Sequence, residues 1–126
     1  LTGRLARRIA PGRLVWGGFL AMVALFALTW GAGPLAPVVA IVAMGVSGIV
    51  AGAGFAAVPW LNASNSDRAL ANGALAQLGN VGTFSGTPAI AALGIGATLP
   101  AAIAIAILGA AATALAYGAA TRWQAV

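Results

Sequence analysis

Residues 69–93 read ALANGALAQLGNVGTFSGTPAIAAL, a stretch long enough to cross a bilayer that nevertheless carries amide and hydroxyl side chains. On a helical wheel of about 100° per residue, three of these six polar groups fall on one face. We name this face the polar stripe; it consists of Gln77, Asn80, Phe84 and Thr87, with Thr83 just beyond its edge. Polar groups at membrane depth are costly and usually face a bundle interior or a wet cavity. The stripe therefore predicts a helix that lines an interior rather than one that only anchors the chain.

Two further helix faces are made of glycine, each covering about 60° of the wheel. They consist of Gly79, Gly82 and Gly86 in 69–93 and of Gly45, Gly48 and Gly52 in 35–60. Small residues let neighbouring backbones approach closely, so helix packing is one interpretation of both faces. The other is a flexible helix at 35–60 that bends and lines a cavity, for which Gly48 and Phe55 are the candidates.

The composition of the whole chain places it in a membrane. Its 126 residues are 62% hydrophobic and 6% charged, with a mean hydropathy of +1.03. Soluble domains carry about 25% charged residues. Because a lone strand cannot satisfy its backbone in lipid, the apolar runs are predicted to be helices. The predicted fold class is an all-α integral membrane protein with four transmembrane helices, in contact with the lipid bilayer.

The chain has too few titratable residues for the common kinds of metal-binding and catalytic site. The chain has no cysteine, no histidine and one acid, Asp67. Within this chain, that excludes metal sites built from these ligands, Ser-His-Asp catalysis and paired-carboxylate catalysis. We therefore expect no enzyme, no metal and no cofactor. The six basic residues cluster at the ends of apolar runs, so they indicate membrane topology and not nucleic-acid binding.

Hydropathy and turn residues divide the chain into spans and loops. The predicted segments are a basic loop at 1–13, spans at 14–30, 35–60, 69–93 and 101–120, a loop at 61–68, a turn at 94–100 and a tail at 121–126. The first and fourth spans lack strong polar groups, so we expect them to be outer helices that face lipid. Ser66 or Asp67 is expected to cap the third span.

The positions of the arginines predict the orientation of the chain in the membrane. With four spans, both ends and the loop at 61–68 lie on one side, and all six arginines lie in these segments. The positive-inside rule then places both ends of the chain in the cytoplasm, as part of a multi-pass protein of the cytoplasmic (inner) membrane.

Two motifs resemble the C-terminal third of major facilitator superfamily transporters. The opening resembles a degenerate copy of that superfamily's G-x-L-A-D-R-x-G-R-R loop, with Arg7 at the acidic position and a longer spacing to the last pair. The matching residues are Gly3, Leu5, Arg8, Gly12 and Arg13. The second motif, QLGNVG at 77–82 followed by GTP at 86–88, resembles an eleventh helix of some bacterial members.

The resemblance implies that the four spans are helices nine to twelve of a twelve-helix fold made of two bundles. It implies that helices nine and twelve are outer supports, that ten lines the central cavity and that eleven lies between the bundles. The implied function is secondary active transport of a small solute by alternating access, with proton-coupled efflux as one form. The implied partners are the remaining helices of the same transporter and a small-molecule substrate. Because the chain begins with Leu1, we expect it to be a fragment, and any coupling carboxylate to lie outside it.

A structural alternative stays open. The chain could be a complete small four-helix membrane protein that oligomerises through its glycine faces and has a structural or channel-like role. The polar stripe would then serve hydrogen bonds between helices, each worth about 0.6 kcal/mol on average.

Overall fold

The computed structural model describes residues 10–123, and within them every long element is an α-helix. Helix α1 spans Pro11–Gly31, α2 spans Ala36–Leu61, α3 spans Asn65–Leu93 and α4 spans Ile95–Trp123. A short 3₁₀ turn, Gly33–Leu35, joins α1 to α2. The prediction of an all-α chain is confirmed, and no strand is present in the described part of the chain.

Three of these helices are long and apolar enough to cross a membrane. The qualifying segments are Pro11–Gly31, Gly33–Leu61 and Gly96–Gly118, with mean hydropathies of 1.8, 2.2 and 2.1. Helix α3 has 29 residues, a length of about 44 Å from the helical rise, but its polar side chains make it less apolar than the other three. The composition of α1, α2 and α4 is consistent with a membrane-embedded chain, whereas a membrane crossing by α3 stays a prediction.

Several helix boundaries differ from the sequence-based ones. Helix α3 begins at Asn65, inside the predicted loop 61–68, and α4 continues to Trp123, inside the predicted tail 121–126. Helix α1 begins at Pro11, inside the segment predicted as a loop, because proline suits the first turn of a helix. The turn predicted at 94–100 was wrong: only Gly94 is non-helical, and α4 starts at the next residue. Gly94 has φ +77°, a left-handed conformation that glycine adopts without strain, so this one residue separates the two helices.

The loop between α2 and α3 is held by local hydrogen bonds. The Ser64 hydroxyl accepts the backbone N–H of Asp67 at 3.0 Å and donates to the Asp67 carboxylate at 2.7 Å, which makes Ser64 the N-cap of α3. The expected caps, Ser66 and Asp67, are therefore wrong, because they already lie inside the first turn. Arg68 Nε donates to the carbonyl of Asn62 at 3.0 Å and closes the loop.

Helix α1 lies at the centre of the described bundle. It packs extensively against both α2 and α4, while no Cα atom of α2 lies within 8 Å of a described Cα atom of α4. The buried apolar side chains at these contacts are small apart from Phe26: they are Ala43, Ala53, Ala57, Val58, Ala106 and Ala110. Helix α1 still exposes large apolar side chains such as Leu28 and Trp30, so the expectation that the first span faces lipid stays a prediction. Its apolar residues surround the helix, so their pattern could not show which sides a neighbour covers.

Candidate functional site

The polar stripe lies on one continuous helix. Helix α3 runs without interruption through residues 77–87, so Gln77, Asn80, Phe84 and Thr87 project from one face, as predicted. All four side chains are exposed, and Phe84 is 87% exposed. The structure therefore presents the stripe on an open surface and does not enclose it.

Hydrogen bonding separates the polar side chains of α3 into two groups. The Thr83 hydroxyl donates to the carbonyl of Gly79 at 3.0 Å, and the Ser85 hydroxyl donates to that of Val81 at 2.7 Å. These hydroxyls are satisfied within their own helix. The amides of Gln77 and Asn80 make no hydrogen bond to any residue in 10–123. The two amides and the Thr87 hydroxyl, which also makes no hydrogen bond to a described residue, are consequently the side-chain groups of the stripe that need a partner from elsewhere.

Proline adds a backbone acceptor to the same face. Pro88 lies inside α3 and has no N–H, so the carbonyl of Phe84, four residues earlier, loses its helical donor. The same arrangement occurs in α2, where Pro59 removes the donor for the carbonyl of Phe55. In a membrane, such freed carbonyls are satisfied by neighbouring helices, hydroxyls or water. The stripe thus offers an acceptor from the backbone beside its two amides.

Helix α3 is uncovered through its middle. Residues 72–85 are all exposed, and the partly covered residues of α3 are Arg68 and Ala71 near its start and Gly86 further along. On the helical wheel these three residues lie together, on the side opposite the stripe. The other cavity-lining candidates, Gly48 and Phe55 in α2, are also exposed, and the structure does not bury them together with the stripe.

The two predicted glycine faces are open as well. A Cβ atom built at Gly45, Gly48, Gly79, Gly82 or Gly86 would meet nothing within 4 Å, and Gly52 is half-buried. Their role in helix packing stays a prediction, because Gly52 and Gly86 are partly covered while the other four glycines are exposed.

Close backbone approach occurs at other glycines, which the sequence analysis did not single out for packing. A Cβ atom at Gly18 would overlap the side chain of Val50, and one at Gly109 would overlap the ring of Phe19. These contacts join α1 to α2 and to α4. Gly109 shares a small-residue face of α4 with Ala106 and Ala110, a packing signal that the sequence analysis did not use. The contact at Gly18 is visible only once α2 is in place.

The structure describes only two of the five predicted residues of the loop motif. Gly3, Leu5 and Arg8 lie outside the described residues. Gly12 and Arg13 lie in the first turn of α1, where Gly12 is buried and Arg13 is exposed. No model of a protein family, no curated protein and no solved structure matches this chain.

Proposed function

We propose that this chain is part of a secondary active transporter of the major facilitator type, and that α3 lines the path of a small solute. The observation that carries the proposal is the polar stripe on α3. It places two amides, an aromatic ring and a freed backbone carbonyl on one open face of a chain whose other helices are strongly apolar. Such a face is unfavourable against lipid, so it requires either further helices or a wet cavity.

The side of α3 that other described helices cover supports the proposal that α3 lies at the edge of a larger helix assembly. The described helices approach α3 only on the side of Arg68, Ala71 and Gly86, and the stripe points the opposite way. In the proposed transporter the opposite side faces the central cavity and the other bundle. The amides Gln77 and Asn80 then bind solute or water, and Phe84 forms an apolar wall. Because these partners are neutral, they favour a neutral or amphipathic solute over a polyanion.

The test is transport by the full-length native polypeptide in proteoliposomes, with neutral amino acids, sugars and amphipathic dyes as probes. Gln77→Ala and Asn80→Ala are expected to reduce the flux of a transported probe at an unchanged amount of folded protein. Ser85→Ala is the matched control, since its hydroxyl is satisfied by the carbonyl of Val81 and lies off the stripe. Normal flux in both amide variants, or a loss explained wholly by less folded protein, would overturn the assignment of the stripe.

A second candidate function is supported by the open glycine faces. Since nothing covers Gly45, Gly48, Gly79 or Gly82 within the described residues, identical chains could pack through these faces and form a structural or channel-like oligomer. Leucine at Gly48 or Gly82 would then abolish the oligomer, as measured by the mass of the detergent-solubilised complex. A coding sequence that continues upstream of Leu1 into further apolar spans would favour the transporter instead.

A further inference from the structure

A groove lies beside the contact between the first turns of α1 and the last turns of α4. Its volume is about 450 Å³, and its lining includes Gly12, Arg13 and Trp16 from α1 and Thr113, Ala114 and Tyr117 from α4. This volume lies within the range of about 300–1,000 Å³ that is usual for small-molecule sites. None of these residues belongs to the polar stripe, so the groove is a separate feature of the molecule.

The walls of the groove are largely apolar. The ring of Tyr117 lies against the backbone of Gly12, where any side chain would overlap it. The Thr113 hydroxyl donates to the carbonyl of Gly109 at 2.7 Å, which leaves its methyl group as the apolar part of that side chain. Ala114 and the indole of Trp16 complete an apolar surface that suits a hydrocarbon chain.

The cationic side chain of Arg13 lies beside this apolar surface. Arg13 is exposed and makes no hydrogen bond or ion pair with any residue that the structure describes. This sequence contains a single acidic side chain, Asp67. Its carboxylate accepts a hydrogen bond from the Ser64 hydroxyl in the loop between α2 and α3. Among the described residues, no side-chain carboxylate is therefore available to neutralise Arg13, so its charge is open to an anionic ligand.

The order of the groups along the helices matches an amphiphile. Arg13 lies near the start of α1, and Trp16 lies about one turn deeper. On α4, Tyr117 is nearer the helix end and Thr113 is deeper. Trp and Tyr are the side chains enriched at the level of lipid headgroups, and basic residues at helix ends attract anionic lipids. A free phosphate would leave the apolar walls unused, and a lipid without net charge would leave Arg13 unneutralised.

We propose that this groove binds one anionic phospholipid, whose phosphate pairs with Arg13 and whose acyl chain lies between α1 and α4. The proposal requires only that these two helices lie in a membrane. It does not depend on whether the chain transports a solute or forms an oligomer.

The test is lipid binding to the full-length native polypeptide in detergent, followed by native mass spectrometry. The probes are phosphatidylglycerol and phosphatidylcholine with identical acyl chains. Arg13→Gln is expected to weaken the binding of phosphatidylglycerol by about fivefold, the equivalent of about 1 kcal/mol for one basic residue near an anionic lipid, and to leave phosphatidylcholine unchanged. Arg68→Gln is the matched control, because it removes the same charge from the first turn of a different helix, α3.

A second pair of variants tests the acyl-chain part of the site. Ala114→Leu places a larger side chain in the groove and is expected to weaken the binding of both lipids, whereas Ala112→Leu, an exposed position outside the lining, leaves both unchanged. Equal binding of the two lipids to the native protein, or equal losses from Arg13→Gln and Arg68→Gln, would overturn the proposal. Displacement of the lipid by soluble glycerol 3-phosphate would also overturn it, and would assign the groove to a free anion.

Discussion

The ring of Tyr117 lies directly against the backbone of Gly12, and this contact joins the last turns of α4 to the first turn of α1. The two residues are far apart in the chain, and the local sequence around each does not indicate this contact. Glycine at residue 12 gives the ring room, because a Cβ atom there would overlap the ring and force it to shift. The contact also forms one end of the groove beside Arg13.

Replacing Gly12 by alanine is expected to destabilise the contact between α1 and α4. The added methyl group would overlap the Tyr117 ring, and overpacking of this kind costs about 1–3 kcal/mol in the free energy of unfolding. The measurement is a double-mutant cycle with Tyr117→Ala, read from unfolding in detergent. The loss from Gly12→Ala should be smaller when the ring is absent, whereas additive losses would show that the two residues do not interact.

The contact between Gly109 and Phe19 makes a related prediction for the interior of the bundle. Gly109→Ala is expected to lower stability because its Cβ would overlap the Phe19 ring in the packed contact between α1 and α4. Gly45→Ala is the control, since nothing lies within 4 Å of that position and alanine favours a helix by up to about 1 kcal/mol. Thermal unfolding of both variants checks this difference, and equal melting temperatures would contradict the observed packing.

The N-cap of α3 predicts a local effect of Ser64. Ser64→Ala removes the acceptor for the Asp67 N–H, and the loss of a cap costs about 1 kcal/mol. Hydrogen exchange at the Asp67 amide should therefore accelerate about fivefold. Ser66→Ala should leave this exchange unchanged, because Ser66 lies inside the first turn and does not cap it. Faster exchange in both variants would show that the cap is not specific to Ser64.

The orientation of α2 and α3 can be tested with single cysteines, because the chain contains none. Ala63→Cys lies in the loop between α2 and α3, Leu35→Cys in the turn before α2, and Leu93→Cys at the end of α3. If both helices cross the membrane, residues 35 and 93 share one side and residue 63 lies on the other. The positive-inside rule places residue 63 in the cytoplasm, beside Arg68.

The measurement is labelling of intact cells with a thiol reagent that does not cross membranes. Cysteines at 35 and 93 should react, and the cysteine at 63 should react only after the cells are opened. A cysteine at 93 that behaves like the one at 63 would show that α3 does not cross the membrane. This outcome would also remove the basis for a solute path along the polar stripe.

The sequence analysis was accurate where the signal is local. The helices at 69–93 and 35–60 were located from apolar runs and turn residues, and the observed helices α3 and α2 include almost all of both stretches. The stripe at Gln77 and Asn80 followed from helical periodicity alone, since side chains three or four residues apart share a face. The cap at Ser64 was missed by two to three residues, because several polar residues at 62–67 could each have served as the cap.

Amino-acid order by itself therefore determined the helical class, the apolar spans and the face on which each polar group of α3 lies. These properties depend on composition and on the repeat of one helix. The tertiary structure decided that α1 is the central helix, that Gly12, Gly18 and Gly109 are the positions of close approach, and that Arg13 stands over an apolar groove. These three features depend on which side of an evenly apolar helix meets a neighbour. Only contacts between residues distant in the chain select that side.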